Sequence, residues 1–68
     1  MIDVQKLRGE IVAKGYTMQK IAEEIGITSK TFYAKMKKGE FSSAEMSAMV
    51  AILDIKNPTE IFFAELVS

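Results

Sequence analysis

The chain has 68 residues, which is enough for one small domain, and its formal net charge is zero. It contains neither histidine nor cysteine, so it lacks a disulfide framework, the best transition-metal ligands and the commonest general base. We therefore expect no catalytic site, no metal site and no cofactor. No apolar run approaches the ~20 residues of a membrane span, and Asp3 stands where a signal peptide is apolar, which favours a soluble cytoplasmic protein.

The charges are unevenly distributed along the chain. Residues 27–39 carry four lysines and no acidic residue, whereas residues 40–68 carry five acidic residues against Lys56 alone. A separation of this kind can orient a protein on a polyanion even at zero net charge, because the local potential governs contact. The alternative is that these lysines are simply solvated on an exposed helix.

Three helices are predicted in the first half of the chain. Asp3 can cap a helix from Val4 to Lys14, which Gly15 ends. Thr17 can cap a second helix that begins at Met18 and stops at Gly26. Thr28 can then cap a third, over residues 29–37, and the polar turn 38–40 follows it. The apolar residues of the second and third helices recur at helical spacing, so the two can share one buried side.

Two further helices are predicted in the second half. Ser42 and Glu45 form a capping box, which predicts a helix from Ser43 to about Leu53. Asn57 is expected to cap a fifth helix from Pro58 to about Leu66, with Glu60 completing a second capping box. No alternating run predicts a strand. The expected fold is therefore all-α, with five helices in a single domain over residues 1–68.

The fifth helix is apolar on more than one side. One core of this size is not expected to cover Phe63 and Val67 as well as the rest of the helix. They either dock onto the first helix and the Phe41 region or form a self-association surface, and both readings stay open.

The stretch 17–37 resembles a DNA-binding motif. Ala22, Gly26, Ile27 and Phe32 have the spacing of the small residue, the turn glycine and the hydrophobic residues in the helix-turn-helix of the Cro and lambda-type repressor family. The run GITSKTFYAKM, then F-S-x-x-E, then IFFAE is similar to the small repressor-like proteins of Gram-positive prophages. The resemblance covers nearly the whole chain and implies a compact five-helix domain with a recognition helix at about residues 29–37.

The resemblance also implies which residues meet double-stranded DNA, and a homodimer, at least on DNA. The residues implied to contact bases are Thr28, Ser29, Lys30, Tyr33 and Ala34. Those implied to contact phosphate are Thr17, Gln19, Lys37 and Lys38.

One position departs from the family pattern. Lys35 stands where these repressors usually place a buried aliphatic residue, and Met36 follows it. Either Met36 takes the buried role or the helix is rotated slightly, and a rotation would change the exposure of Tyr33 and Ala34.

The sequence thus predicts a sequence-specific regulator of the phage repressor or Cro type. The alternative is a protein-interaction module, similar to an antirepressor, that binds a second regulator protein through its carboxyl-terminal helix.

Overall fold

In the computed structural model, which describes residues 2–63, every regular element is an α-helix. The all-α prediction is therefore confirmed for this part of the chain, and the helices number five, as expected. Their bounds are Val4–Ala13 (α1), Met18–Ile25 (α2), Ser29–Lys38 (α3), Ser43–Leu53 (α4) and Pro58–Phe62 (α5).

Four of the five helices begin at the predicted cap. The side chains of Asp3, Thr17, Thr28 and Ser42 each accept a hydrogen bond from the backbone N–H three residues later. Each bond satisfies one of the amides that a first helical turn leaves without a partner. The capping box of α4 is complete, because the Glu45 carboxylate also accepts from the backbone N–H of Ser42 at 2.8 Å.

The predicted capping box at Asn57 is wrong. Asn57 precedes α5, but its side chain makes no capping hydrogen bond. Its backbone (φ −123°, ψ 70°) lies outside the extended conformation that the other four caps share, so the amide oxygen is not directed at the first turn. Pro58 begins the helix instead, since its fixed φ suits the first helical position.

The ends of three helices also differ from the prediction. α1 ends at Ala13 with Lys14 as its cap, and α3 extends one residue further, to Lys38, before Gly39 ends it in the left-handed conformation. α5 ends at Phe62 rather than near residue 66, because the backbone of Phe63 (φ −133°, ψ 50°) is no longer helical. Residues 64–68, including Leu66 and Val67, lie outside the described part of the chain.

A single apolar core joins all five helices. Its fully buried side chains come from α1 to α4, and Ile61 and Phe62 of α5 join them. The closest helix pairings are α2 with α3, α2 with α4, and α1 with α5. The backbone N–H of Asp3 donates to the carbonyl of Ile61 at 2.7 Å, which ties the start of α1 to α5. No helix within residues 2–63 is long and apolar enough to cross a bilayer.

Candidate nucleic-acid interface

The turn between α2 and α3 fixes how these two helices meet. Gly26 ends α2 at φ +85°, a conformation that costs a residue with a Cβ about 1–2 kcal/mol. The N–H of Ile27 then donates to the carbonyl of Ala22 at 3.0 Å, and Thr28 begins α3 two residues after the glycine. Glycine and threonine at this spacing therefore reverse the chain in three residues and place α3 against α2.

The buried side of α3 is defined by two side chains. Phe32 is fully buried and Met36 is 4% exposed. Residues four apart lie on the same side of a helix, so Phe32 and Met36 form one stripe. Met36 therefore takes the buried role, which was the first of the two possibilities raised by Lys35.

The outward side of α3 carries six of the nine residues predicted to contact DNA, in two neighbouring stripes. Ala34 lies two positions from both buried residues and so about 200° around the helix from each. Lys30 and Lys38, four residues to either side of Ala34, complete the first stripe, and all three are exposed. The second stripe consists of Ser29, Tyr33 and Lys37.

Within the second stripe, Ser29 is less exposed than the other two residues. Ser29 is partly buried and Lys37 is exposed. Tyr33 is 54% exposed, and its ring meets that of Phe32 edge-on, with centroids 6.4 Å apart and planes at 83°. The buried ring thus supports one side of the tyrosine while the other side remains open to solvent.

Lys35 lies on the remaining side of α3, facing the start of α4. Its Nζ donates to both carboxylate oxygens of Glu45, at 2.8 and 2.6 Å. The side chains of Lys35 and Glu45 are 32% and 13% exposed. The hydrogen bonds from Lys35 hold the pKa of Glu45 below its ordinary value, against partial burial, which raises it. Lys35 is thus a partly exposed residue held by an ion pair, which the residue types alone did not indicate.

The charges on the outward side of α3 are not neutralised by residues 2–63. Among residues 2–63, Lys30, Lys37 and Lys38 take part in no ion pair, whereas Lys35 is paired with Glu45. Three of the four lysines in the basic segment therefore remain available to an anion. Lys20 of α2 lies 3.9 Å from Glu23.

The start of α2 contributes two of the predicted phosphate contacts. Thr17 and Gln19 are both exposed. The Thr17 hydroxyl oxygen accepts from the backbone N–H of Lys20 at 3.0 Å, so the hydroxyl proton is the part that remains for an outside acceptor.

At the start of α3 a hydroxyl that was not among the predicted contacts, that of Thr31, is exposed. Thr28 accepts from the backbone N–H of Thr31 at 3.1 Å and donates to the Thr31 hydroxyl oxygen at 2.9 Å. The Thr28 hydroxyl is thus engaged inside the helix, while exposed Thr31 keeps a proton to donate. The signal was present in the i, i+3 spacing of the two threonines.

A separate apolar surface lies at the other end of the chain. Phe63 is 45% exposed and, with Met46, Val50 and Phe62, lines a groove of about 330 Å³ between α4 and α5. The second residue predicted for this surface, Val67, lies outside the described residues.

No group of three or more acidic side chains within residues 2–63 could hold a metal ion. What α3 offers is a rod about 15 Å long with hydroxyl, phenol and ammonium donors on one side.

No protein-family model, curated protein or solved structure matches this chain. The assignment of these residues to a function therefore depends on their geometry and charge.

Proposed function

We propose that this protein is a sequence-specific DNA-binding transcriptional regulator of the phage repressor or Cro type, acting in the cytoplasm. In this proposal the domain is of the lambda-repressor-like type and α2 and α3 are its helix-turn-helix. α3 enters the major groove, which is about 12 Å wide and admits an α-helix.

The observation that carries the proposal is the exposed lysine-bearing side of α3. Lys30, Lys37 and Lys38 have no acidic partner among residues 2–63 and share a side with Ala34 and Tyr33. Small, aromatic and cationic side chains on the exposed side of one capped helix are suited to an edge of base pairs flanked by phosphates. Residues 27–39, which contain α3, hold none of the chain's nine acidic residues.

The roles divide by position on the two helices. Residues early in α3 read base edges, and Lys30 is assigned to the acceptors of a guanine. Residues at the start of α2 and the end of α3 contact phosphates and set the register without reading sequence. The base-contacting set is Thr28, Ser29, Lys30, Tyr33 and Ala34, and the phosphate-contacting set is Thr17, Gln19, Lys37 and Lys38.

The test is a selection of bound duplexes from a randomised pool, followed by a salt titration of the selected and a scrambled duplex. Enrichment of one sequence and a Kd at least 1,000-fold below that of the scrambled duplex are expected. No enrichment, with equal Kd values for both duplexes, contradicts the proposal. Binding that weakens with salt for both duplexes alike reports contact with phosphates only.

The proposal includes a homodimer on a two-fold operator with half-sites about 10 bp apart. Exposed Phe63 beside the α4–α5 groove supports a self-association surface there. Sedimentation at micromolar concentration, with and without the selected duplex, tests this. Two copies on a duplex with paired half-sites are expected, and one copy contradicts the dimer.

The second candidate function, a protein-interaction module that binds another regulator, is favoured by the same exposed Phe63. Under this alternative, Phe63→Asp is expected to abolish such a complex, and neither the wild type nor the variant is expected to bind DNA. The two candidates are distinguished by the duplex selection, because an interaction module enriches no sequence.

A further inference from the structure

We propose that Glu45, through its ion pair with Lys35, is a positioning residue that sets the rotation of α3 and hence which side chains reach the bases. This inference rests on the proposed DNA-binding function. It concerns a residue of α4 that lies outside the helix-turn-helix.

Glu45 is itself held in place. Its carboxylate accepts from the backbone N–H of Ser42 at 2.8 Å, and its own backbone N–H donates to the Ser42 hydroxyl at 3.1 Å. With 13% of its side chain exposed, the carboxylate is a fixed point at the first turn of α4. Lys35 reaches that point from α3 and donates hydrogen bonds to both carboxylate oxygens. Among the ion pairs formed within residues 2–63, this one has the shortest N–O distance.

Two buried side chains, Phe32 and Met36, give α3 its apolar contacts, and the Lys35–Glu45 pair adds a directional contact on one flank of them. The helix packs most closely against α2, and α3 with α4 is not among the closest helix pairings. Met36 is one of its two buried side chains, and methionine adapts to small shifts because it is flexible and unbranched. The Phe32 and Phe41 rings are 5.4 Å apart, which adds contact near the start of α4 but no directional bond.

Rotation has a direct consequence for the outward stripes. Successive residues are about 100° apart around a helix, so Thr31 and Lys35 lie on one flank of the buried stripe and Tyr33 lies on the other. Turning residue 35 towards the core moves Tyr33 further into solvent and Thr31 towards α4. Holding Lys35 at the partly exposed Glu45 carboxylate prevents this turn.

Two variants remove the pair with opposite changes of charge. Lys35→Met lowers the net charge by one and lets an apolar side chain turn inward. Glu45→Gln raises it by one and keeps the capping box, since glutamine also serves at this position. An effect of charge alone moves affinity for scrambled DNA in opposite directions in the two variants. Loss of positioning lowers the ratio of the Kd for the scrambled duplex to the Kd for the selected duplex, and it does so in both variants. The expected decrease is about tenfold, which corresponds to the loss of one good base contact.

Two further variants serve as controls. Lys35→Arg keeps two hydrogen bonds to the carboxylate and is expected to retain the wild-type ratio. Lys56→Met removes a lysine from the Lys56–Asp54 pair, whose side chains are 78% and 74% exposed, and is expected to leave the ratio unchanged. An unchanged ratio in both Lys35→Met and Glu45→Gln, with the protein folded, overturns the inference.

A measurement on the free protein keeps the inference separate from the proposed function. NMR shifts of the Tyr33 ring and of the α3 amides are expected to change in Lys35→Met and Glu45→Gln and to stay near wild type in Lys35→Arg. If the wild-type protein does not discriminate between duplexes, the proposed function fails while these shifts still report the rotation. Unchanged shifts in both pair-breaking variants refute the positioning role whatever the DNA result.

Discussion

Phe32 and Tyr33 are adjacent in the sequence and their rings meet edge-on, yet Phe32 is fully buried and Tyr33 is 54% exposed. Removal of the Phe32 ring is therefore expected to destabilise the protein more than removal of the Tyr33 ring. Phe32→Ala is expected to cost about 3–5 kcal/mol, because it leaves a cavity in the core. Tyr33→Ala is expected to cost about 1 kcal/mol, the value of the edge-on contact.

Urea denaturation followed by circular dichroism measures both costs. A domain of this length has about 3–10 kcal/mol in total, so Phe32→Ala removes a large part of it. Under the proposed function, Tyr33→Ala remains folded and loses affinity for the selected duplex. Equal destabilisation by the two variants would contradict the described orientation of α3.

The lysines of α3 are expected to separate into two classes. Lys30→Ala should relax the preference at one base position and cost about 1–3 kcal/mol against the selected duplex. Lys37→Ala should weaken selected and scrambled duplexes alike and reduce the salt slope, log Kd against log salt, by about one. Fluorescence anisotropy at four salt concentrations measures both, with Lys56→Ala as the matched control. Identical behaviour of the two variants rejects the division into base and phosphate contacts.

Gly9 and Gly26 are expected to respond oppositely to alanine. A Cβ built at either position meets nothing within 4 Å, so the difference is one of backbone conformation alone. Gly9 lies inside α1, where Gly9→Ala should stabilise the protein by about 1 kcal/mol. Gly26 has φ +85°, and Gly26→Ala should destabilise it by about 1 kcal/mol or more. Urea midpoints of the two variants check this, and a shift of both in one direction would be inconsistent with the α2–α3 turn.

The ion pair of Lys35 with Glu45 should make stability depend on pH. Because the pKa of Glu45 is below its ordinary value of 4.5, its contribution is present above about pH 4.5 and is lost as pH falls through the lowered pKa. Glu45→Gln should therefore be less stable than wild type at pH 7, by about 1 kcal/mol, and should approach wild-type stability at acid pH.

Thermal or urea unfolding between pH 7 and pH 3 measures this difference. Asp54→Asn is the control. The pKa of Asp54 is also lowered, by its hydrogen bond from Lys56, but both side chains are exposed and solvent screens the pair. If the difference in unfolding free energy between Glu45→Gln and wild type does not change with pH, the charge of Glu45 is not the cause of that difference.

The sequence was informative where the interaction is local. Thr17, Thr28 and Ser42 were predicted as caps, because a cap needs only a hydroxyl and an amide three residues away. Asn57 fits the same rule and fails, since the backbone ahead of it is not extended. The end of α5 at Phe62 was missed because the apolar pattern continues through Phe63 and does not register the change in backbone geometry.

The pairing of Lys35 with Glu45 could not be predicted from spacing. The two residues lie in different helices, and which side of α3 meets the start of α4 depends on how the whole core packs. The sequence did show that the rotation of α3 depends on which of Lys35 and Met36 is buried. It did not indicate that Glu45, which completes the capping box, could also accept hydrogen bonds from Lys35. The DNA-contact residues remain predictions, although the six that belong to α3 fall on two neighbouring stripes of that helix.

The hydrogen bond between the N–H of Asp3 and the carbonyl of Ile61 has a consequence for folding kinetics. It joins residues from the two ends of the described chain, so it closes a long loop, and the entropy of that closure must be overcome before the bond contributes. The α2–α3 contacts, by contrast, connect near neighbours and can form early. Substitutions that break the junction of α1 and α5 should therefore accelerate unfolding and leave the refolding rate nearly unchanged.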